Sequence, residues 1–440
     1  MELDRLVEKI SAKGFDGYAL IFVKKLSNHV RFAVNKISIT NTWDEATLHI
    51  LLEKERRVYI TSLPYPLEES EDKILEKALV ALKNMPPRDD YSPLPEPGAY
   101  PKHPEFDKNV VENPEKLNEI VEEVIDKTLS YGAKRVAGSL YANYIRGRLI
   151  TSAGVDLEVE DTNIYIDVRA FINKQATGHS SIAGRFIADI DVDYVSEKAA
   201  HFAKLSANAK KGEPGEYKTL LIPDAVASLF NTVGDSISAF SVDAGLSYFK
   251  DKLGQKVASE ELTVYDIPIS KNGFIVRTFD DEGVPTKNKE LIKNGVLKTY
   301  VHNRFTAKKF NAKHTGNAGW ISPRVWELEI APGELKEDEL LEFLGEGLIV
   351  GNATYIRFQN YLAGTFSAII RDGIFYVKDG EIKHAIRGLR LSDSMPRILS
   401  NIIGLSKERV RVYHWWLESD IPVISPSIVV EGVRFTRAFG

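Results

Sequence analysis

A chain of 440 residues that is 43% hydrophobic can build two or three cored domains, and with no cysteine it excludes disulfides, thiolate catalysis, iron–sulfur ligation and Cys-containing zinc sites. Lys+Arg 57 against Asp+Glu 62 gives a net charge of −5, and no long basic cluster is available to displace counterions from phosphates, so nucleic acid is not expected as a direct partner. No apolar run reaches the ~18 residues of a membrane span and the N-terminus lacks a signal-peptide core, so a soluble, cytoplasmic protein without a membrane partner is expected.

The opening MELDRLVEKISAKGF places Leu3, Leu6, Val7 and Ile10 at helical spacing. Residues 15–63 then read as successive strands, and EESEDKILEKALVALKNM (68–85) returns to helical spacing. Residues 86–104, PPRDDYSPLPEPGAYPKHP, hold seven prolines in nineteen residues, which forbids regular structure. This stretch is a linker or an extended arm laid on a surface, and it divides an N-terminal region spanning 1–210. Asn113 and Pro114 predict the start of a helix over 113–130. Strands follow between Lys134 and Val192, then a helix from Tyr194 to Ala209. KKGEPGEYK (210–218) marks a second boundary, and residues 216–440 are predominantly β in pattern. There GEGLIVG (345–351) follows a helix and precedes a strand, the reverse of a dinucleotide fingerprint, so Gly345 and Gly347 read as a helix stop. Asp372-Gly373 and Asp379-Gly380 each predict a hairpin. The fold class is α+β: an N-terminal α/β portion with mixed or antiparallel sheets, and a β-rich C-terminal domain.

Local catalytic motifs are missing. The two closest of nine histidines, His302 and His314, stand twelve residues apart, so no His-x3-His or His-Glu-x-x-His pair exists. His302 and His414 read as hydrogen-bonded residues of strands or turns. There is no phosphate-binding Gly-x4-Gly-Lys and no Gly-x-Ser-x-Gly elbow. The acidic run FDDEGVPT sets Asp280, Asp281 and Glu282 between a predicted strand, GFIVRTF, and a predicted helix, KNKELIKNG. Its acids either form a solvated turn or line a cleft and grip a peptide amine or a partner's basic group. Helix 224–240 combines an apolar stripe (Val226, Leu229, Phe230, Val233, Ile237, Phe240) with a polar one (Asp224, Ser228, Asn231, Asp235, Ser238). Gly234 within it signals close packing or a bend.

The order of segments from Tyr217 to Ile386 carries a resemblance. YKTLLIPDAVASLFNTVGDSI, FDDEGVPTKNKELIKNGVLKTYVHNRFTAKKF, HTGNAGW, PGELKEDELLEF and AGTFSAIIRDGIFYVKDGEIKHAI together resemble the TldD/PmbA (TldE) family, with a weaker match through residues 143–203. TldD-type chains of that family resemble zinc peptidases, with His-Glu-x-x-x-His on this helix and a further ligand from a downstream cysteine. Aligned through Val233-Gly234, Phe230 stands at the first histidine, Asn231 at the glutamate and Asp235 at the second histidine. Phe230 has no lone pair, Asn231 cannot deprotonate water, Asp235 alone is not a site, and the chain has no cysteine. The resemblance therefore implies a PmbA/TldE-type subunit with no metal and no catalytic residue of its own. It also implies a TldD-like zinc-bearing partner in a heterodimer, and substrates that are peptides or unfolded polypeptides. Asp280, Asp281, Glu282, His314 and Asn317 are then candidate binding residues at a cavity or interface. Two alternatives stay open: a peptide- or protein-binding homodimer, and a hydrolase with a remodelled site.

Overall fold

The computed structural model describes residues 2–271, 273–413 and 421–438; His414 lies outside them. Helix α1 (Glu2–Ala12) is followed by three long strands, β1 (Gly17–Ala33), β2 (Lys36–Lys54) and β3 (Arg57–Pro64). Helix α2 (Glu71–Asn84) begins at Ser70, whose hydroxyl accepts from the Lys73 amide. After the proline-rich stretch come α3 (Asn109–Glu112), α4 (Pro114–Ser130), β4 (Arg135–Thr151), β5 (Asp156–Phe171), β6 (Thr177–Gly184) and α5 (Val192–Leu205). Helix α5 starts two residues earlier than Tyr194 because the Asp191 carboxylate caps the Tyr194 amide, and it stops at Leu205 rather than Ala209.

The six strands form one antiparallel sheet in the order β3-β2-β1-β4-β5-β6. Strand residues alternate between its faces. One face buries Leu20, Leu48, Ile50 and Leu52 under α1 and α2, and Val30, Phe32, Leu140, Ile164 and Ile166 under α4 and α5. The other face carries Asp161, Tyr165 and Arg169 toward the C-terminal half: the Val276 amide donates to Asp161, and Tyr165 meets Phe274 and Tyr413 edge-on.

Residues 210–437 supply a second, mixed sheet of fourteen strands. Strand Gly215–Leu221 leads into helix α6 (Pro223–Ile237), which lies in the largest apolar cluster with Phe249, Leu291, Leu328, Val350, Leu391 and Val423. The α+β class with a β-rich C-terminal region holds.

Four local expectations are corrected. KNKELIKNG is not a helix: Lys289–Lys293 is a strand that turns back into Val296–Leu297. Asn294 and Gly295, both at positive φ, form the two-residue turn that Asn-Gly favours. GFIVRTF is not a ladder strand; its one bridge joins Phe279 to Pro285. Asp372-Gly373 makes no hairpin, because the strands on either side, Thr365–Ile369 and Ile374–Lys378, pair with other neighbours. Asp372 instead has its buried carboxylate on Arg169 of β5 (3.0 Å), with the Asn352 amide donating at 3.0 Å, and so ties the halves together. Asp379-Gly380 does turn one strand into Glu381–Arg387, and Gly345 (φ 66°) stops the helix Leu340–Leu344. Phe240 does not extend the α6 stripe: the helix ends at Ile237, and Phe240 is exposed on the separate turn Ala239–Asp243.

Candidate functional site

Strand Gly215–Leu221 enters the interior at Thr219–Leu221, Pro223 supplies the first turn of α6, and the helix then passes through the core with nearly every side chain buried. Phe230 is 2% exposed and belongs to the largest apolar cluster. Most of the polar stripe is also inside, each group turned to a partner. Ser228 donates to the Asp224 carbonyl and Thr232 to the Leu229 carbonyl. Asp224 accepts from Ser181 at 2.7 Å, and burial pushes its carboxyl upward.

Asn231 is the most constrained. Its Nδ2 donates to the carbonyls of Ala227 and Ile421, both at 3.0 Å, and its Oδ1 accepts from the Ile421 amide at 3.1 Å. One carboxamide thus holds both backbone groups of a residue 190 positions away, leading into the strand Val423–Arg437. A Cβ on Gly234 would stand 2.5 Å from Ile421 Cδ1, so the glycine admits this segment against the helix. Asp235 is the exposed acid of the helix and stands between two clefts of ≈ 260 and ≈ 370 Å³. The larger is walled by Arg277, Arg324 and Trp326.

A catalytic zinc needs three protein donors around one open position. Position 230 offers a hydrocarbon ring, the Asn231 amide is spent on backbone, and among the described residues no group of three or more His, Asp or Glu side chains is placed to hold a metal ion. These residues do not fit the ion.

The second set of candidates gathers at the acidic run, and it is neither a solvated turn nor an open cleft. Asp280 Oδ1 accepts from the Glu282 and Val284 amides (3.0 Å each) and Oδ2 from the Ala318 amide (2.8 Å). Glu282, fully buried, accepts from His314 Nε2 at 2.8 Å, from Arg304 Nε at 3.1 Å and from the Arg304 amide at 3.0 Å. Asp281 accepts from Arg324 at 3.1 Å, and Arg324 also lines the Asp235 cleft, so one arginine links the two candidate sets. Asn317, buried, donates to Asp266 (2.7 Å) and to the Arg324 carbonyl (2.9 Å).

The proline-rich stretch completes the arrangement as an arm laid on a surface. The Ser92 carbonyl accepts from Arg304, the Tyr100 hydroxyl donates to the Gly283 carbonyl, and Arg88 stacks on Phe305. Leu94 packs with Trp320 against Ala19 and Leu51 of the first sheet. Arg304 also meets Glu53 of β2 at 2.5 Å, and the Tyr91 hydroxyl donates to the same carboxylate at 3.1 Å; burial pushes that phenol up to about 12. Spacing singled out the acids but not Arg304, Glu53 or Tyr91, which come from three distant segments.

Burial pushes the Asp280 carboxyl up to about 7, with His314 pulling against the rise and the Glu282 charge adding to it. Burial works against charge on His314 too, but the Glu282 hydrogen bond and the Asp280 and Glu282 charges win and raise it above 6.5. Both groups bind protons more tightly folded than unfolded. Their contribution is therefore complete at low pH, is lost for Asp280 as pH climbs from about 4 through about 7, and for His314 as pH climbs from about 6.5 through its raised value. The unfolding free energy is expected to fall from about pH 5 to about pH 8 in urea titrations, and Asp280→Asn is expected to flatten that slope. A rising or flat profile in the unmodified chain contradicts this account.

Residues 214–437 match the family model described as the PmbA/TldA metallopeptidase C-terminal domain, and residues 108–207 match the corresponding central domain. An uncharacterized protein of Methanocaldococcus jannaschii is 27% identical over 98% of this chain and 99% of its own length. A metalloprotease of the same organism is 33% identical, over 46% of this chain and 45% of its own length. The crystal structure of TldE from Thermococcus kodakarensis superposes with a TM-score of 0.86, at 22% identity, covering 99% of this chain and all of that one; the likeness establishes the fold.

Proposed function

Because the chain belongs to the PmbA/TldA metallopeptidase family, we propose that it is a non-catalytic, TldE-like subunit that works beside a zinc-bearing, TldD-like chain in breaking down peptides or unfolded polypeptide. The observation that carries this reading is the use made of Asn231. At the place where the catalytic glutamate of the family's zinc helix falls, this chain has a carboxamide with donors and acceptor committed to Ile421 and Ala227. Beside it Phe230 is buried in hydrocarbon. The helix serves as a packing post, and the Asp235 clefts with Arg277 and Arg324 remain as surface on which a polypeptide or partner chain can rest.

The test is peptide cleavage by this chain alone, by a TldD-type chain alone and by the two mixed, with zinc content measured in each. Activity is expected only in the mixture, with no stoichiometric zinc in this chain. Cleavage by this chain alone, lost on changing Asp280 or Glu282, supports the remodelled-hydrolase alternative instead.

A further inference from the structure

The larger of the two clefts beside Asp235, ≈ 370 Å³, is lined by a cation that the described residues leave unmatched, Arg277. Its position is fixed from the backbone outward. The Arg277 amide donates to the Pro268 carbonyl at 2.8 Å, and its carbonyl accepts from the Thr286 hydroxyl. The guanidinium lies 5.3 Å from the centre of the Trp326 ring. Trp326 is held in turn, its amide on Asp266 and its indole N–H on the Gly316 carbonyl, both at 2.9 Å. A platform already in place loses little freedom when a ligand arrives.

An arginine stays charged in a protein and carries five N–H donors. Arg277 Nε is buried and meets no acceptor. Burial lowers the pKa of the guanidinium; Asp281 opposes this, Arg324 adds to it and Asp161 opposes it. Neither of those acids is available to pair with Arg277. Asp281 accepts from Arg324 at 3.1 Å, while Asp161 accepts from Arg185 at 2.8 Å and from the Val276 amide at 2.9 Å. Burying a charged donor without a partner is costly, so the cleft holds a group that gains from an incoming anion. Asp235, the one described carboxylate lining this cleft, is exposed, where water and salt screen its charge.

We propose that the cleft takes the C-terminal carboxylate of a peptide, with Arg277 as its counter-ion. The planar guanidinium fork matches the two oxygens of a carboxylate. One unmatched guanidinium offsets one negative charge, whereas a phosphate monoester brings about −1.5 to −2. The volume is at the low end of small-ligand pockets, about 300–1,000 Å³, and suits the end of a chain rather than a folded partner. Ile275 and Val325 give the last side chain apolar walls. The inference rests on the proposed part in peptide breakdown for its ligand, since each hydrolysed peptide bond leaves a new α-carboxylate. It is tested on this chain alone, without zinc or a partner, so an inactive mixture leaves a binding result standing, and failure to bind leaves the cleavage experiment untouched.

Calorimetric titration of the full chain compares acetyl-Ala-Ala-Leu with its C-terminal amide and with the amide of acetyl-Ala-Glu-Leu. The free acid is expected to bind about tenfold or more tightly than either amide, and Arg277→Gln is expected to erase the difference. Absence of binding by the acid, an amide that binds as tightly, or a preference that survives Arg277→Gln overturns the proposal. Should Arg277→Gln fail to fold, arginine labelling of the unmodified chain with phenylglyoxal decides. The acid is expected to slow labelling of Arg277, located by mass spectrometry, and the amide is not. Labelling of Arg277 at the same rate with acid and amide overturns it.

Discussion

Replacing Arg304 with alanine is expected to destabilise the protein by about 3–5 kcal/mol, the cost of breaking a buried ion pair from one side. The guanidinium is 2% exposed and sits between two carboxylates, Glu282 at 3.1 Å and Glu53 at 2.5 Å, which are 0% and 2% exposed. Alanine would leave both acids buried, with Asp280 beside them and His314 as the remaining cation-forming neighbour. Arg304→Lys is expected to recover only part of the loss. An ammonium cannot direct separate N–H groups at Glu282 and the Ser92 carbonyl while also meeting Glu53. Urea unfolding measures the free energy. Limited proteolysis separates local from global effects, because the arm loses both the Ser92 hydrogen bond and its anchor beside Phe305. Early cleavage between Arg88 and Tyr100 is expected in the alanine variant. Parent-like unfolding and resistance to cleavage would show that Arg304 is not the clasp between the arm, β2 and the acidic run.

That clasp shows where sequence reading stops. FDDEGVPT was visible as a cluster of acids, and PPRDDYSPLPEPGAYPKHP as a stretch that cannot form helix or strand. Neither pattern contains the fact that Arg304 reaches the Ser92 carbonyl or that Tyr91 meets Glu53, because those contacts join residues 212 and 38 positions apart. Burial of Asp280 and Glu282 depends on those distant partners, so a turn that reads as solvated is interior. The Lys289–Lys293 error is of another kind. Its apolar residues Leu291 and Ile292 suit either period over so short a run, and Asn294-Gly295 was the local sign that should have decided for a hairpin. Helix α6 was legible as a helix and its glycine as a close approach. Most of its polar stripe is interior: Ser228 and Asn231 satisfy themselves on backbone carbonyls, as does the neighbouring Thr232. The family resemblance located Asn231 at a catalytic position, but only the structure supplies its present work.

The sharpest measure of that work is Asn231→Asp, a change of one nitrogen for one oxygen. The asparagine gives two N–H donors to the Ala227 and Ile421 carbonyls and takes the Ile421 amide on its oxygen. A carboxylate keeps the acceptor but turns a second oxygen toward two carbonyl oxygens at about 3 Å, buried, with no donor between them. The expected loss is about 2–4 kcal/mol, the penalty of leaving a charged buried group and its neighbours unpaired. The sign with pH then discriminates. The introduced carboxyl would have a folded pKa above its unfolded value near 3.9, so the variant should regain stability as pH falls and the acid becomes a donor again. The difference between parent and variant should therefore narrow from about pH 7 to about pH 5 in paired urea titrations. Asn231→Glu, the residue type that the resemblance sets at this position in TldD-type chains, should cost more, because its extra methylene drives the charge into the segment that Gly234 admits. A Glu variant as stable as the parent would mean that the helix has room for a carboxylate at this position; a large loss would mean that the Ile421 segment fills that space.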